Sequence, residues 1–158
     1  VNGNDLAAKV IAQDEGCRLN PYPDHLGFWT VGYGHLIDRR KGGSLPAWVK
    51  PSFPLEQAEA DQLLKFDIRA CEASLDGSLH WWRGLSDVRR AVILSMAFQL
   101  GIAGLLKFKN TLRAMQGVRW ADAAQGMRDS LWYKQTTERA ERLAKAMETD
   151  DEAALEIG

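Results

Sequence analysis

Glu15, Asp24 and Thr30 are the residues whose types and spacing could do chemistry together, with eight residues between the two carboxyls and five between Asp24 and Thr30. Cleaving a glycosidic bond needs one carboxyl that keeps its proton for the leaving oxygen, and a second that is ionised to act on water or carbon. Glu15 suits the first task, because it precedes Gly16 at the expected end of a helix, where the negative pole disfavours a carboxylate. Asp24 suits the second, because His25-Leu26-Gly27 reads as a turn that leaves it on a hydrated hairpin tip. Each also has a plain structural explanation: a frayed helix end for Glu15, a common turn residue for Asp24, and a β-branched strand filler for Thr30.

Loop length decides whether Asp24 and Thr30 can cooperate. A three-residue loop pairs Asp24 with Phe28 and Tyr22 with Thr30, which sets Asp24 and Thr30 diagonally on one face, ~7–8 Å apart, with room for one water. A two-residue loop sends them to opposite faces. Gly32 and Gly34 alternate in the following strand, where they allow a ligand to approach the backbone or simply mark a bend.

The elements that must hold these residues follow from pattern. Asn4 or Asp5 is expected to cap a first helix whose apolar positions are Leu6, Val10 and Ile11, and Gly16 ends it. Arg18 to Ile37 reads as two or three short strands, and Asp38 to Pro54 as a long irregular surface loop. Leu55 to Leu75 is helical, with Ala60, Leu64, Ile68, Cys71 and Leu75 on one stripe. Ser86-Asp87 opens a strongly apolar helix, Val88 to Leu100, that stops at Gly101. Shorter helices are expected over Leu105–Met115, Trp120–Ser130 and Thr137–Met147, with Asp150–Gly158 a frayed tail. The class is α+β, mainly α, in a single domain 1–158: a hairpin lobe over roughly 12–60, a helical lobe from 1–11 and 76–158, and a connecting helix over 55–75.

Composition sets outer limits. At 158 residues, 46% hydrophobic and 26% charged, the chain is long enough to bury about 70% of its unfolded surface without a metal or disulfide. A net charge of −1 gives no basic groove for nucleic acid. Cys17 and Cys71 match no zinc or redox spacing, so no disulfide framework is indicated, and no cofactor or metal is expected. No apolar run approaches membrane-spanning length, and no signal peptide is seen. The chain begins at Val1, compatible with a piece of a longer product.

The same residues resemble the phage-type lysozymes of glycoside hydrolase family 24. Glu15-Gly16 through Gly32-Tyr33-Gly34-His35 is similar to that family's active-site hairpin. Asp87-Val88-Arg89-Arg90-Ala91, Met96 through Gly101, Phe108 through Arg113, Arg119-Trp120 and Trp132 through Thr136 follow in family order. The resemblance implies a lysozyme-like fold and hydrolysis of the β-1,4 bond between N-acetylmuramic acid and N-acetylglucosamine, with inversion. Glu15 would be the general acid, with Asp24 and Thr30 placing the attacking water. Leu36, Phe98 and Thr111 match positions that contact sugar. Arg139 resembles an arginine that pairs with the catalytic glutamate, and His35 is carried over as a supporting residue. Gly126 stands where the family has a sugar-binding asparagine, and the family's basic excess is absent. The expected partner is peptidoglycan, for a monomer made in the host cytoplasm and acting on the wall from the periplasm, either in phage lysis or as a tail-borne wall-piercing domain.

Other readings rest on fewer residues. A zinc amidase would use His25, His35 and Cys17, at a spacing that fits no common zinc site. A DNA-binding helical module would use Arg89, Arg90, Lys107, Lys109 and Arg113, which fit solvated helix faces equally well. Of six tryptophans, Trp81, Trp82, Trp120 and Trp132 are expected in packing roles, while Trp29 and Trp48 are better placed to meet substrate.

Overall fold

Residues 91–97 are all buried and form the centre of the larger core, as the apolar run in this helix predicts. The computed structural model describes residues 3–41 and 53–157. The chain runs α1 (Gly3–Glu15), β1 (Arg18–Pro23), β2 (Phe28–Gly32), β3 (His35–Lys41), α2 (Gln57–Ser78), α3 (Asp87–Leu106), α4 (Lys109–Gln116), α5 (Trp120–Arg128), α6 (Leu131–Gln135) and α7 (Thr137–Thr149). This is the mainly helical α+β class expected.

Ser86 caps α3, its hydroxyl accepting from the Arg89 N–H and so satisfying a donor that has no helical partner. Gly101, at φ 73° and ψ 162°, takes a conformation that side-chain-bearing residues avoid. The helix breaks there as expected, but helical chain resumes as far as Leu106 instead of stopping. By length and composition α3 could cross a membrane, contrary to the sequence reading, yet half of that stretch is buried within the fold. Its apolar surface is spent on α1, α2 and α7.

α1 lays Leu6, Ala7, Val10 and Ile11 against α3. It starts one residue before Asn4, so Asn4 and Asp5 lie in the first turn and not at the expected N-cap position. Its end is as expected, with the Gly16 N–H donating to the Ala12 carbonyl. The antiparallel sheet β1-β2-β3 follows. Tyr22 pairs with Thr30 and the Asp24 N–H donates to the Phe28 carbonyl, so the connection is the three-residue loop. β3 continues to Lys41, opposite Phe28, which corrects the expectation that Asp38–Lys41 belong to a loop.

α2 opens with a capping box between Glu56 and Glu59. Its stripe serves two apolar clusters. Ala60 joins Val31 and Leu55 under the sheet, while Leu64, Ile68 and Leu75 join the larger core. Cys71, on the same stripe, is half-buried.

The remaining helices differ at their ends from the pattern-based limits. Leu105 and Leu106 finish α3, and α4 starts at Lys109. α6, not foreseen, is capped by Ser130 and buries Trp132. The tail is docked, not frayed: Leu155 is 1% exposed in a 3₁₀ turn, Gln13 of α1 donates to its carbonyl at 2.9 Å, and the Ile157 N–H returns to Gln13. Arg89 is buried, donates to the carbonyls of Met147 and Glu148 at the end of α7, and stacks 3.8 Å over Trp120. With Arg90 paired to Asp87 on the surface of α3, two of the five basic residues of the DNA-binding reading already have partners within the chain.

Candidate active site

Glu15 is the last residue of α1, its side chain 23% exposed. Oε1 accepts from Arg139 Nη1 at 2.8 Å, the pair implied by the resemblance. Oε2 has no hydrogen-bond partner among the described residues. It faces Gly34, where a Cβ would stand 3.1 Å from Oε2 and 3.8 Å from Phe98. With φ at +75° as well, position 34 accepts glycine for both conformation and space.

Two further charged residues meet here that sequence spacing did not single out. Asp14, whose side chain is 1% exposed, accepts from Arg142 Nη1 at 2.7 Å and lies 3.3 Å from Arg139 Nε. One signal was available: Arg139 and Arg142 are three apart on α7, hence on one face, as neighbouring acids at the end of α1 would require.

The hairpin holds Asp24 and Thr30 through a shared anchor. Asp24 Oδ1 accepts from the N–H groups of Leu26 and Phe28, each at 2.9 Å, leaving Oδ2 free of these bonds. Thr30, 4% exposed, donates its hydroxyl to the Phe28 carbonyl at 2.9 Å, so its lone pairs remain to accept from a water. Since Tyr22 faces Thr30 and Asp24 faces Phe28, all four side chains share one face. Tyr22 stands among these charges. Burial pushes its phenol above the usual value, partly offset by Arg18, whose guanidinium sits 4.4 Å over the ring, with Glu15 and Asp24 adding to the rise.

Leu36, Phe98 and His35 come together with Gly34 around a cavity of about 420 Å³ between β3, α2 and α3. His35 Nδ1 shares a 2.8 Å hydrogen bond with Asp67 of α2, a partner the sequence did not point to. Cys71 lines the same cavity as a neutral thiol, pushed up to about 11 by burial, with Asp67 and Glu72 contributing. Thr111 is elsewhere. It lines a second cavity of about 930 Å³ with Phe108, Gly126 and Trp132. A Cβ at Gly126 would fall 2.2 Å from Thr111 Oγ1, so the threonine occupies the space that a side chain at 126 would need. Asp24 and Thr30 line neither cavity.

Trp82 and Trp132 are buried and bonded, to Asp76 and Gln99, as their packing roles predict. Trp29 is half-buried opposite Pro23, and Trp48 lies outside the described residues. Cys17 and His25 are exposed and His35 is held by Asp67, and among the described residues no three metal-ligating side chains converge.

The phage lysozyme family model matches residues 12–148, a span that includes Glu15, the hairpin and Arg139. The chain belongs to the phage lysozyme family. It is accordingly a glycoside hydrolase, and its activity is peptidoglycan hydrolysis. It is 29% identical to "Probable T4-type lysozyme 1" of Dictyostelium discoideum, over 89% of this chain and 92% of that protein. It is 31% identical to the "Pre-baseplate central spike protein Gp5" of Enterobacteria phage T4, over 90% of this chain and 27% of that protein. With the "Peptidoglycan hydrolase gp36" of Pseudomonas phage phiKMV it shares 29% identity, over 95% of this chain and 16% of that protein. The match at two scales, near full length in one relative and a minor part of two others, fits a portable family domain.

Proposed function

We propose that the chain cleaves the β-1,4 bond between N-acetylmuramic acid and N-acetylglucosamine with inversion, degrading the bacterial wall in phage lysis. Glu15 gives its proton to the leaving glycosidic oxygen. Asp24 Oδ2 and the Thr30 hydroxyl hold a water against the opposite face of the sugar, and Asp24 takes that water's proton as its oxygen bonds to the anomeric carbon. Leu36 and Phe98 give the sugar apolar contact, and Thr111 a hydroxyl.

The observation that carries this reading is the division of labour between two anchors. One oxygen of Glu15 is tied to Arg139 and the other, without a hydrogen-bond partner among the described residues, faces Gly34, while one backbone residue, Phe28, fixes both Asp24 and Thr30. Glu15→Gln should keep the melting temperature and abolish lysis of permeabilised Gram-negative cells. Lysis retained by that variant would remove the assignment.

A second reading, a wall-piercing domain carried on a tail, draws support from the likeness to the central spike protein, of which this chain spans about a quarter. The chemistry is the same in both. The sequence of the full parent product distinguishes them, since a spike module adjoining these residues would decide for the tail.

A further inference from the structure

We infer that Asp14 is a positioning residue for Glu15: it holds Arg139 turned so that the guanidinium meets only one oxygen of the acid. The inference rests on the reading of Glu15 as the general acid.

Arg139 is 13% exposed, and its one hydrogen bond among the described residues is from Nη1 to Glu15 Oε1. Among the described residues Nη2 is buried with no hydrogen-bond partner, and Nε lies 3.3 Å from Asp14 Oδ2 without the alignment of a hydrogen bond. A guanidinium normally meets a carboxylate through two parallel N–H bonds. Nη2 is available to make the second bond here, yet Glu15 receives only one. The charge that opposes the rotation is Asp14, whose carboxylate is held beside Nε by a 2.7 Å bond from Arg142. The consequence falls on Oε2. A paired arginine would cover both oxygens of Glu15 with donors and keep it a carboxylate, whereas the single bond leaves Oε2 to carry the proton that is donated.

Among the described residues, the charged and titratable groups around this corner are Asp14 and Glu15 of α1, Glu138, Arg139 and Arg142 of α7, Cys17, Arg18 and Tyr22 leading into and along β1, and Asp24 of the hairpin, with the His35–Asp67 pair beyond Gly34. Asp14 stands out among them as the group placed at the Nε side of Arg139.

The test is the pH dependence of kcat and KM on purified peptidoglycan fragments. Asp14→Asn keeps the shape and removes the charge. It should lower kcat about tenfold or more, leave KM within roughly twofold, and move the high-pH limb of kcat down by about one unit, as Arg139 closes on Glu15. Arg142→Lys keeps a cationic donor for Asp14 Oδ1 and the Asp14 charge beside Nε, and should leave the limb in place. An unmoved limb in Asp14→Asn, or an equal movement in both variants, overturns the inference. If Asp14→Asn does not fold, Asp14→Glu against Asp14→Gln supplies the same contrast of charge at constant shape. Glu15→Gln assayed alongside separates the two levels. Retained activity there removes the acid and this inference with it, while a dead Glu15→Gln and an unmoved limb in Asp14→Asn remove only the role of Asp14.

Discussion

At the residue scale, Glu15, Asp24 and Thr30 were legible because their relation is local: a helix end, a loop length and a strand alternation place them. Asp14 was not, because its partner Arg142 is 128 positions away and an acid beside Glu15 looks like any other in sequence. Gly126 shows the reverse case, a departure from the family pattern that the packing explains. Alanine would favour helix α5 by about 1 kcal/mol over glycine. Its Cβ, however, would overlap Thr111 Oγ1, a short side chain that is stiff at χ1. Overpacking of this kind costs about 1–3 kcal/mol, so Gly126→Ala should be less stable in urea unfolding than the parent. In a Thr111→Ala background the same change should be neutral or stabilising. A Gly126→Ala protein as stable as the parent would show that Thr111 moves aside at no cost. Asp24 gives a second residue-scale expectation. Asp24→Asn should lose lysis nearly as fully as Glu15→Gln, while Asp24→Cys should keep part of it, since a thiolate can also act on water, and equal loss in both would argue against that role.

At the element scale, the long periodic segments were read, although α3 runs past its expected stop at Gly101, and the shortest helix, α6, was missed. α2 and α3 present a stripe or an apolar run over many turns, so neighbours reinforce the pattern. α6 has only five residues, too few for a period to appear, and it forms because Ser130 caps it and Trp132 finds a buried place. The segment after α7 has the same character. Its polar composition reads as a frayed end, yet Leu155 fills a site beside α1 and Gln13 secures the backbone on both sides of it. Leu155→Ala should therefore cost about 2–5 kcal/mol, the usual range for a buried leucine, seen as a fall in the denaturation midpoint. A change under about 0.5 kcal/mol, the range of surface substitutions, would mean that this segment contributes nothing to the fold.

At the scale of the whole molecule, α2 connects the cluster under the sheet to the larger core, and ion pairs tie the helices behind the site. Arg128 of α5 reaches both Glu141 and Glu148 of α7. That arginine's hydrogen bonds, with a smaller contribution from Tyr133, hold Glu141 below its ordinary value of 4.5 against the opposing effect of burial. A carboxyl lowered in the folded state stabilises the fold above its unfolded value, and the contribution is lost as pH falls through the folded value. The pair is solvent-accessible, so the effect is small: Glu141→Gln should lower the melting temperature by roughly 2 °C or less at pH 7. The difference should shrink below about pH 4.5 and vanish once Glu141 is protonated in the folded protein, and a difference that persisted there would have another cause. By itself, the sequence determined most of the helical frame, the presence of the hairpin and the catalytic candidates, while the choice of a three-residue loop over a two-residue one came from the structure. Helix period, capping and loop length act over a few residues, and composition leaves enough apolar material for a core. Tertiary structure alone decided which side chains surround Glu15, that Thr111 takes the space at Gly126, and that the last turn docks on α1. Those outcomes depend on contacts between residues far apart in the chain, whose distances and burial exist only once the helices have packed.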